Sequence, residues 1–336
     1  MKRLNSTEPI RRTHPVIRAW PRMIEIIRIV VPFFGLIGLG FFLLKIGYLS
    51  RETGKYVVEF AVKVAMPVFL FRAMMSIGEF EGSPFLIIAA YFAATATTWL
   101  LAALFTWSLL RRPQTDAASL SMGATFSNSV MLGVPLALLA FGPSSAAPAA
   151  LLISLDTPLL WIAATLHYEA FNRDRQGSIL SALGGIVYAL ITNPIIAALL
   201  VGSAFRLTGL ALPPLLDKTT ELIAAAAVPA MLLGLGMSIA TYKLAGQAPS
   251  LAMVSFLKLA VMPAIAYIFA FHVFDLPPVY AAVVVLFAAM PVGANAFLFA
   301  AKYGVAAGTV STSIVISTAI AIFSVTGLLF ALKATL

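Results

Sequence analysis

An all-α membrane protein of about ten transmembrane helices, in two inverted five-helix repeats with broken fourth and ninth helices, is the fold class this sequence predicts. Three observations predict it. Of the 336 residues, 61% are hydrophobic and only 10% charged, a balance too apolar for a soluble domain of that length. About ten apolar runs recur, each long enough for a hydrocarbon core that takes roughly 20 residues per helix. The two halves of the chain also align on one another at a single offset.

The runs centre near residues 37, 65, 97, 130, 158, 191, 229, 262, 290 and 320, with short connections and no linker that would set off a soluble domain. The first, Ile29 to Leu44, follows the basic stretch MKRLNSTEPIRRTHPVIRAWPR, which superficially resembles a signal peptide. No small-residue cleavage site follows, and the run continues into KIGYLS, so it reads as a retained helix. Residues 1–22 read as a basic N-terminal tail, and Met23 offers a second start. In the second run Glu59 and Lys63 lie one turn apart and are expected to pair. Arg72, and Lys258 in the eighth run, are expected to snorkel to an interface. The fourth run, TFSNSVMLGVPLALLAFG, carries two serines, an asparagine, two glycines and a proline where lipid-soluble residues belong. Asp156 sits in the middle of the fifth.

Sliding the sequence by 162 residues superposes Pro32 on Pro194, Gly47 on Gly209, Glu59 on Glu221, Pro67 on Pro229, and the tripeptide Met75 to Ile77 on Met237 to Ile239. Repeat 1 spans 23–172 and repeat 2 spans 179–336. Each holds five helices, and an odd number makes the second enter the membrane from the opposite side. Inverted repeats are the mark of secondary transporters, because two pseudo-equivalent halves can exchange inward-open and outward-open states. Loop charges set the orientation. Arg206, Lys218 and Lys333 lie on the N-terminal side. Lys45, Arg51, Lys55, Arg111, Arg112, Arg173, Arg175, Lys243 and Lys302 lie on the other. The positive-inside rule then makes the richer side cytoplasmic and both termini external, against the pull of the basic tail.

Under the same offset, Asn128 to Pro135 falls on residues 290–297, MPVGANAF. Both stretches pair one proline with one asparagine. A proline lacks the helix donor and clashes with the carbonyl four residues earlier, here Met131 and Phe287. Unwound backbone at this depth must line a protein-buried or watery cavity. Half-helix N-termini there aim N–H groups and partial positive charge at a ligand, which favours an anion such as a carboxylate. The candidate substrate site is therefore Ser127, Asn128, Ser129, Gly133, Pro135, Pro291, Gly293 and Asn295. The lone prolines Pro32, Pro194 and Pro263 read as ordinary kinks.

Other chemistries find no support in the sequence. The net charge of +9 comes from residues scattered over loop ends and the tail, a pattern of membrane topology with no nucleic-acid partner. There is no cysteine, the three histidines are dispersed, and no phosphate loop or nucleophile elbow occurs. No enzyme, cofactor or metal is expected.

ATFSNSVMLGVPLALLAFG resembles the helix-4 motif of the auxin efflux carrier family, N-x3-4-G-x-P, and AAMPVGANAFLFAAKYG resembles its helix-9 motif. VAMPVFLFRAMMS and VPAMLLGLGMSIA are similar to its helices 2 and 7. The resemblance covers residues 23 to 334. It implies ten helices in inverted repeats, as in the bile acid/sodium symporters, with helices 4 and 9 crossing at the substrate. It also implies a dimerising scaffold over 27–77 and 189–240 and a mobile, elevator-like transport domain over 83–172 and 250–333. Members carry carboxylates such as auxin-like acids, malonate or malate. The short YEAFNRDRQGS connection points to a bacterial member in the cytoplasmic membrane.

The expected partners are thus a small organic anion, membrane lipid and a second copy of the chain as a homodimer. A sodium-coupled carrier like the bile acid symporters would be expected to place a carboxylate in helix 9, and AAMPVGANAF has none. Asp156 is the candidate for proton coupling, because an ionisable residue inside a membrane is functional by default. A sodium-coupled carrier and a channel or uniport pore are the alternatives.

Overall fold

The computed structural model describes residues 15–76, 82–172, 192, 194–242 and 244–335. These residues are helical throughout, apart from turns and one isolated antiparallel bridge, Ser127 with Val292. In chain order they form α1 (Pro15–Lys45), α2 (51–76), α3 (Pro84–Ser108), α4a (Gln114–Thr125), α4b (Ser129–Phe141), α5 (Ala146–Phe171) and α6 (Pro194–Leu207). The remainder are α7 (Pro214–Thr241), α8 (Ala248–Val273), α9a (Pro278–Ala288), α9b (Ala294–Tyr303) and α10 (Ala307–Thr335). From Pro15 onward the segment assigned to an N-terminal tail is part of α1; residues 1–14 lie outside the described residues.

Among the described residues six helices, α1, α3, α5, α7, α8 and α10, are each long and apolar enough to cross a membrane, and α4b, α6 and α9a are shorter apolar helices. The sequence predicts ten runs, and the four that do not appear as long apolar helices have separate reasons. α2 carries Arg51, Glu52, Lys55, Glu59, Lys63 and Arg72. The fourth and ninth runs are each divided. The sixth is centred near residue 191, where the chain lies outside the described residues, and so does the 179 boundary of repeat 2.

Local chemistry sets several helix ends. Ser50 caps α2 by accepting from the Thr53 N–H at 3.1 Å. Proline opens α3, α7 and α9a, where a missing donor costs nothing. Inside the helices, Pro67, Pro135 and Pro263 each follow a five-residue π turn, at Ala61–Ala65, Ser129–Gly133 and Leu257–Val261. The wider turn moves the preceding carbonyls off the proline ring, so the helix continues through a residue that would otherwise break it.

Packing of α1 on α7 relies on glycine. A Cβ on Gly40 would collide with the Leu233 carbonyl, and one on Gly236 with the Ile37 carbonyl. In lipid, where burial of apolar surface gives helices little reason to associate, such close approach supplies dispersion contact in its place. α6 packs on α2, and Arg72 joins α2 to α7: its guanidinium donates to the Asp217 carboxylate at 2.6 Å, the Asp217 carbonyl at 2.9 Å and the Thr220 hydroxyl at 2.7 Å. The Arg72 head group thus reaches the partly exposed first turn of α7. The expected Glu59–Lys63 pair is present at 2.6 Å, and Glu221 takes Lys218 at 3.0 Å.

Candidate functional site

Two interruptions meet to make the site. α4a stops at Thr125 because Phe126 turns to extended geometry (φ −70°, ψ 113°) and Asn128 stays outside the helical region (φ −76°, ψ 57°). α9a stops at Ala288, and Gly293 is extended (φ −86°, ψ 154°) before α9b. The two extended pieces run antiparallel and pair through the main chain. The Asn128 N–H donates to the Pro291 carbonyl at 2.8 Å, and the Gly293 N–H donates to the Phe126 carbonyl at 2.9 Å.

Buried backbone groups need partners, and side chains supply the others here. The Val292 N–H donates to the Ser317 hydroxyl at 3.0 Å, and the Lys258 ammonium donates to the Ala288 carbonyl at 2.5 Å. The first-turn N–H groups of α4b and α9b have no acceptor within their own helices.

The position of the break in α4 differs from a simple proline kink. The chain unwinds at residues 126–128, ahead of the π turn, and Pro135 lies inside α4b. In α9 the proline is in the break itself. The Phe287 carbonyl, four residues before Pro291, accepts the Met290 N–H at 3.2 Å.

Four of the eight sequence-derived site residues, Ser127, Asn128, Pro291 and Gly293, lie in the paired segments. Ser129 opens α4b, Asn295 sits in the first turn of α9b, and Gly133 faces the Phe287 ring and Met290 across the crossover. Pro135 is half a turn further along. Ser127, Asn128 and Ser129 are nearly fully buried, whereas Asn295 is half-buried. The side-chain amides of Asn128 and Asn295 have no hydrogen-bond partner among the described residues. That leaves amide donors and acceptors at the N-terminal ends of both second half-helices. A cavity of about 780 Å³ lies elsewhere, between α2 and α7, and is lined by Arg51, Glu52, Lys55, Glu59 and Lys63.

Asp156 on α5 is buried beside the crossover. The Tyr91 hydroxyl of α3, itself wholly buried, donates to the Asp156 carboxylate at 3.2 Å and lies 3.5 Å from the Ser127 hydroxyl. The Ser129 hydroxyl is next to it without a partner of good geometry. Tyr91 thus ties the acid to the α4 break, a role that sequence reasoning missed because a single tyrosine in an apolar run carries no motif. Lys258 was missed for another reason. It is fully buried rather than snorkelling, and its amine also reaches the Met262 sulfur at 3.3 Å.

Over 316 residues, covering 93% of this chain and 97% of the relative, the sequence is 27% identical to a protein of Rhizobium meliloti (strain 1021) named "Putative malonate transporter". A family model described as membrane transport protein matches residues 25–329. Because that match runs from α1 into α10 and takes in both broken helices, this chain belongs to the auxin efflux carrier family of membrane transport proteins, a family of transporters and not of enzymes.

Proposed function

We propose that this protein carries small organic anions, with malonate and related dicarboxylates the first candidates, by alternating access at the α4/α9 crossover. The observation that carries the reading is the antiparallel pairing of the two breaks through Asn128, Pro291, Gly293 and Phe126. It brings two half-helix N-termini and the unpartnered amides of Asn128 and Asn295 to one place, which suits a carboxylate at each end. The name of the Rhizobium relative supports a dicarboxylate.

Two inverted repeats fit the helix boundaries. α1 and α6 end at Lys45 and Leu207, positions that differ by the same 162 residues as the sequence alignment. Two residues beyond each end, Gly47 and Gly209 both take left-handed backbone, with φ of 76° and 67°. Packing supports a division into a scaffold of α1, α2, α6 and α7 and a transport domain of α3 to α5 and α8 to α10. α1 packs chiefly on α7, and α2 on α7 and α6, whereas α4a packs on α3 and α5. Under this reading the transport domain moves as an elevator, the scaffold dimerises, and the protein lies in a bacterial cytoplasmic membrane with both termini outside. Asp156, held by Tyr91, is the proton-coupling residue.

The test is uptake of radiolabelled malonate into proteoliposomes, with succinate, malate and an indole acid as competitors. Asn128→Ala and Asn295→Ala are each expected to cut uptake about 10-fold or more, the equivalent of roughly 1.4 kcal/mol in transition-state or binding free energy. Parental uptake of every acid by both variants would move the site away from the crossover.

A further inference from the structure

We propose that Lys258 is a tethered cation, fixed at the C-terminal end of α9a where a coupling ion would otherwise bind, and that its charge releases the transport cycle from any need for sodium. The inference rests on the carrier reading above. It starts from the polarity of a broken helix, whose C-terminal end carries unsatisfied carbonyls and partial negative charge. In carriers with discontinuous helices such ends coordinate the driving cation.

Here that place is filled by the protein itself. The Lys258 amine donates at 2.5 Å to the carbonyl of Ala288, the last residue of α9a, and it is wholly buried. It reaches this point from the π turn Leu257–Val261 of α8, one residue into the widened segment. A buried ammonium is strongly unfavourable unless its charge is compensated. The compensation comes from three sources: the Ala288 carbonyl, the negative end of α9a, and the Asp156 carboxylate, which acts on it electrostatically from α5 without forming an ion pair. Asp156 in turn is bonded to Tyr91, and Tyr91 reaches the α4 break. Lys258 is therefore bonded to the end of α9a, and Asp156 is linked through Tyr91 to the α4 break.

A neutral cap on Ala288 would need only a hydrogen-bond donor, whereas a tethered cation needs the charge. Lys258→Gln keeps a donor and removes the charge, Lys258→Arg keeps the charge, and Lys258→Ala vacates the place. Each is made in the full-length protein and reconstituted. Malonate counterflow and the thermal unfolding midpoint are then measured in sodium chloride and in choline chloride. The expected results are a parent indifferent to the salt in both readouts, an arginine variant retaining most counterflow, and a glutamine variant at least about 10-fold slower. The midpoint of Lys258→Ala is expected to rise by a few degrees with sodium and not with choline. The proposal is overturned by parental counterflow in Lys258→Gln without sodium, by a parent that itself requires sodium, or by a Lys258→Ala midpoint indifferent to sodium. If the parent moves no malonate, the carboxylate reading fails while the midpoints still decide the role of Lys258. If the single variants do not fold, the double variant Asp156→Asn/Lys258→Gln leaves no uncompensated charge. Recovery of folding supports the charge role, and failure makes Lys258 a packing element and ends the proposal.

Discussion

The Gly293 N–H donates to the Phe126 carbonyl at 2.9 Å, and the Phe126 ring occupies the space where a side chain on residue 293 would begin. A Cβ there would lie 2.6 Å from the ring and 2.8 Å from the Ser127 carbonyl oxygen. The ring can turn aside, but the carbonyl belongs to the backbone that forms the bridge. Gly293→Ala is therefore expected to lower the unfolding midpoint and to cut malonate counterflow about 10-fold or more. Gly327→Ala, with no atom within 4 Å of its added carbon, is the matched control and is expected to be neutral. Equal behaviour of the two variants would mean that the bridge is not needed for transport.

Close approach of α1 and α7 leads to a second expectation, on stability alone. Gly236→Ala pushes a methyl group into the Ile37 carbonyl, and neither backbone can yield without separating the helices. Overpacking of this kind costs about 1–3 kcal/mol. The detergent-solubilised variant should unfold at lower temperature and be recovered in lower yield, whereas Gly35→Ala on α1, with open space around it, should match the parent. Thermal melts of the three proteins side by side decide the matter.

Tyr91→Phe removes one oxygen atom and keeps the ring that packs against Phe92 at 5.2 Å. What is lost is the donor to Asp156 and the neighbour of Ser127. A buried acceptor left without its partner costs about 1–3 kcal/mol. The variant is expected to reach the membrane in normal amounts but to exchange malonate about 10-fold more slowly. Initial rates of exchange normalised to reconstituted protein provide the check; a parental rate would show that Asp156 needs no anchor to the crossover.

Much of this architecture was legible in the sequence, and the exceptions follow a pattern. Asparagine, serine and proline inside apolar runs are costly to bury, so the breaks in α4 and α9 stood out. The i,i+4 spacing of Glu59 and Lys63 announced their pairing, since that spacing alone places them together. The exact point at which α4 unwinds was not legible. The sequence marks the whole stretch Asn128 to Pro135, but the π turn Ser129–Gly133 absorbs the proline, as similar turns do before Pro67 and Pro263. Backbone register of this kind depends on tertiary packing more than on residue type. Lys258 was misread because hydropathy gives the depth of a residue and not the neighbour its helix face meets, and the partners of Arg72 were hidden for the same reason. Lys258 faces the end of α9a, and Arg72 faces Asp217 and Thr220. Tyr91 was invisible because its partners, Asp156 on α5 and Ser127 at the α4 break, are distant from it in the chain.

The joint between α4 and α9 is made by peptide groups, and this separates two properties that proteins often bind together. Side chains at Val130 and Met131, which are half-buried beside the break, can change without removing any hydrogen bond of the bridge. Cargo preference can therefore drift by single substitutions while the mechanical linkage is inherited intact. Divergent descendants of one such chain would be expected to differ first in what they carry and last in how they move.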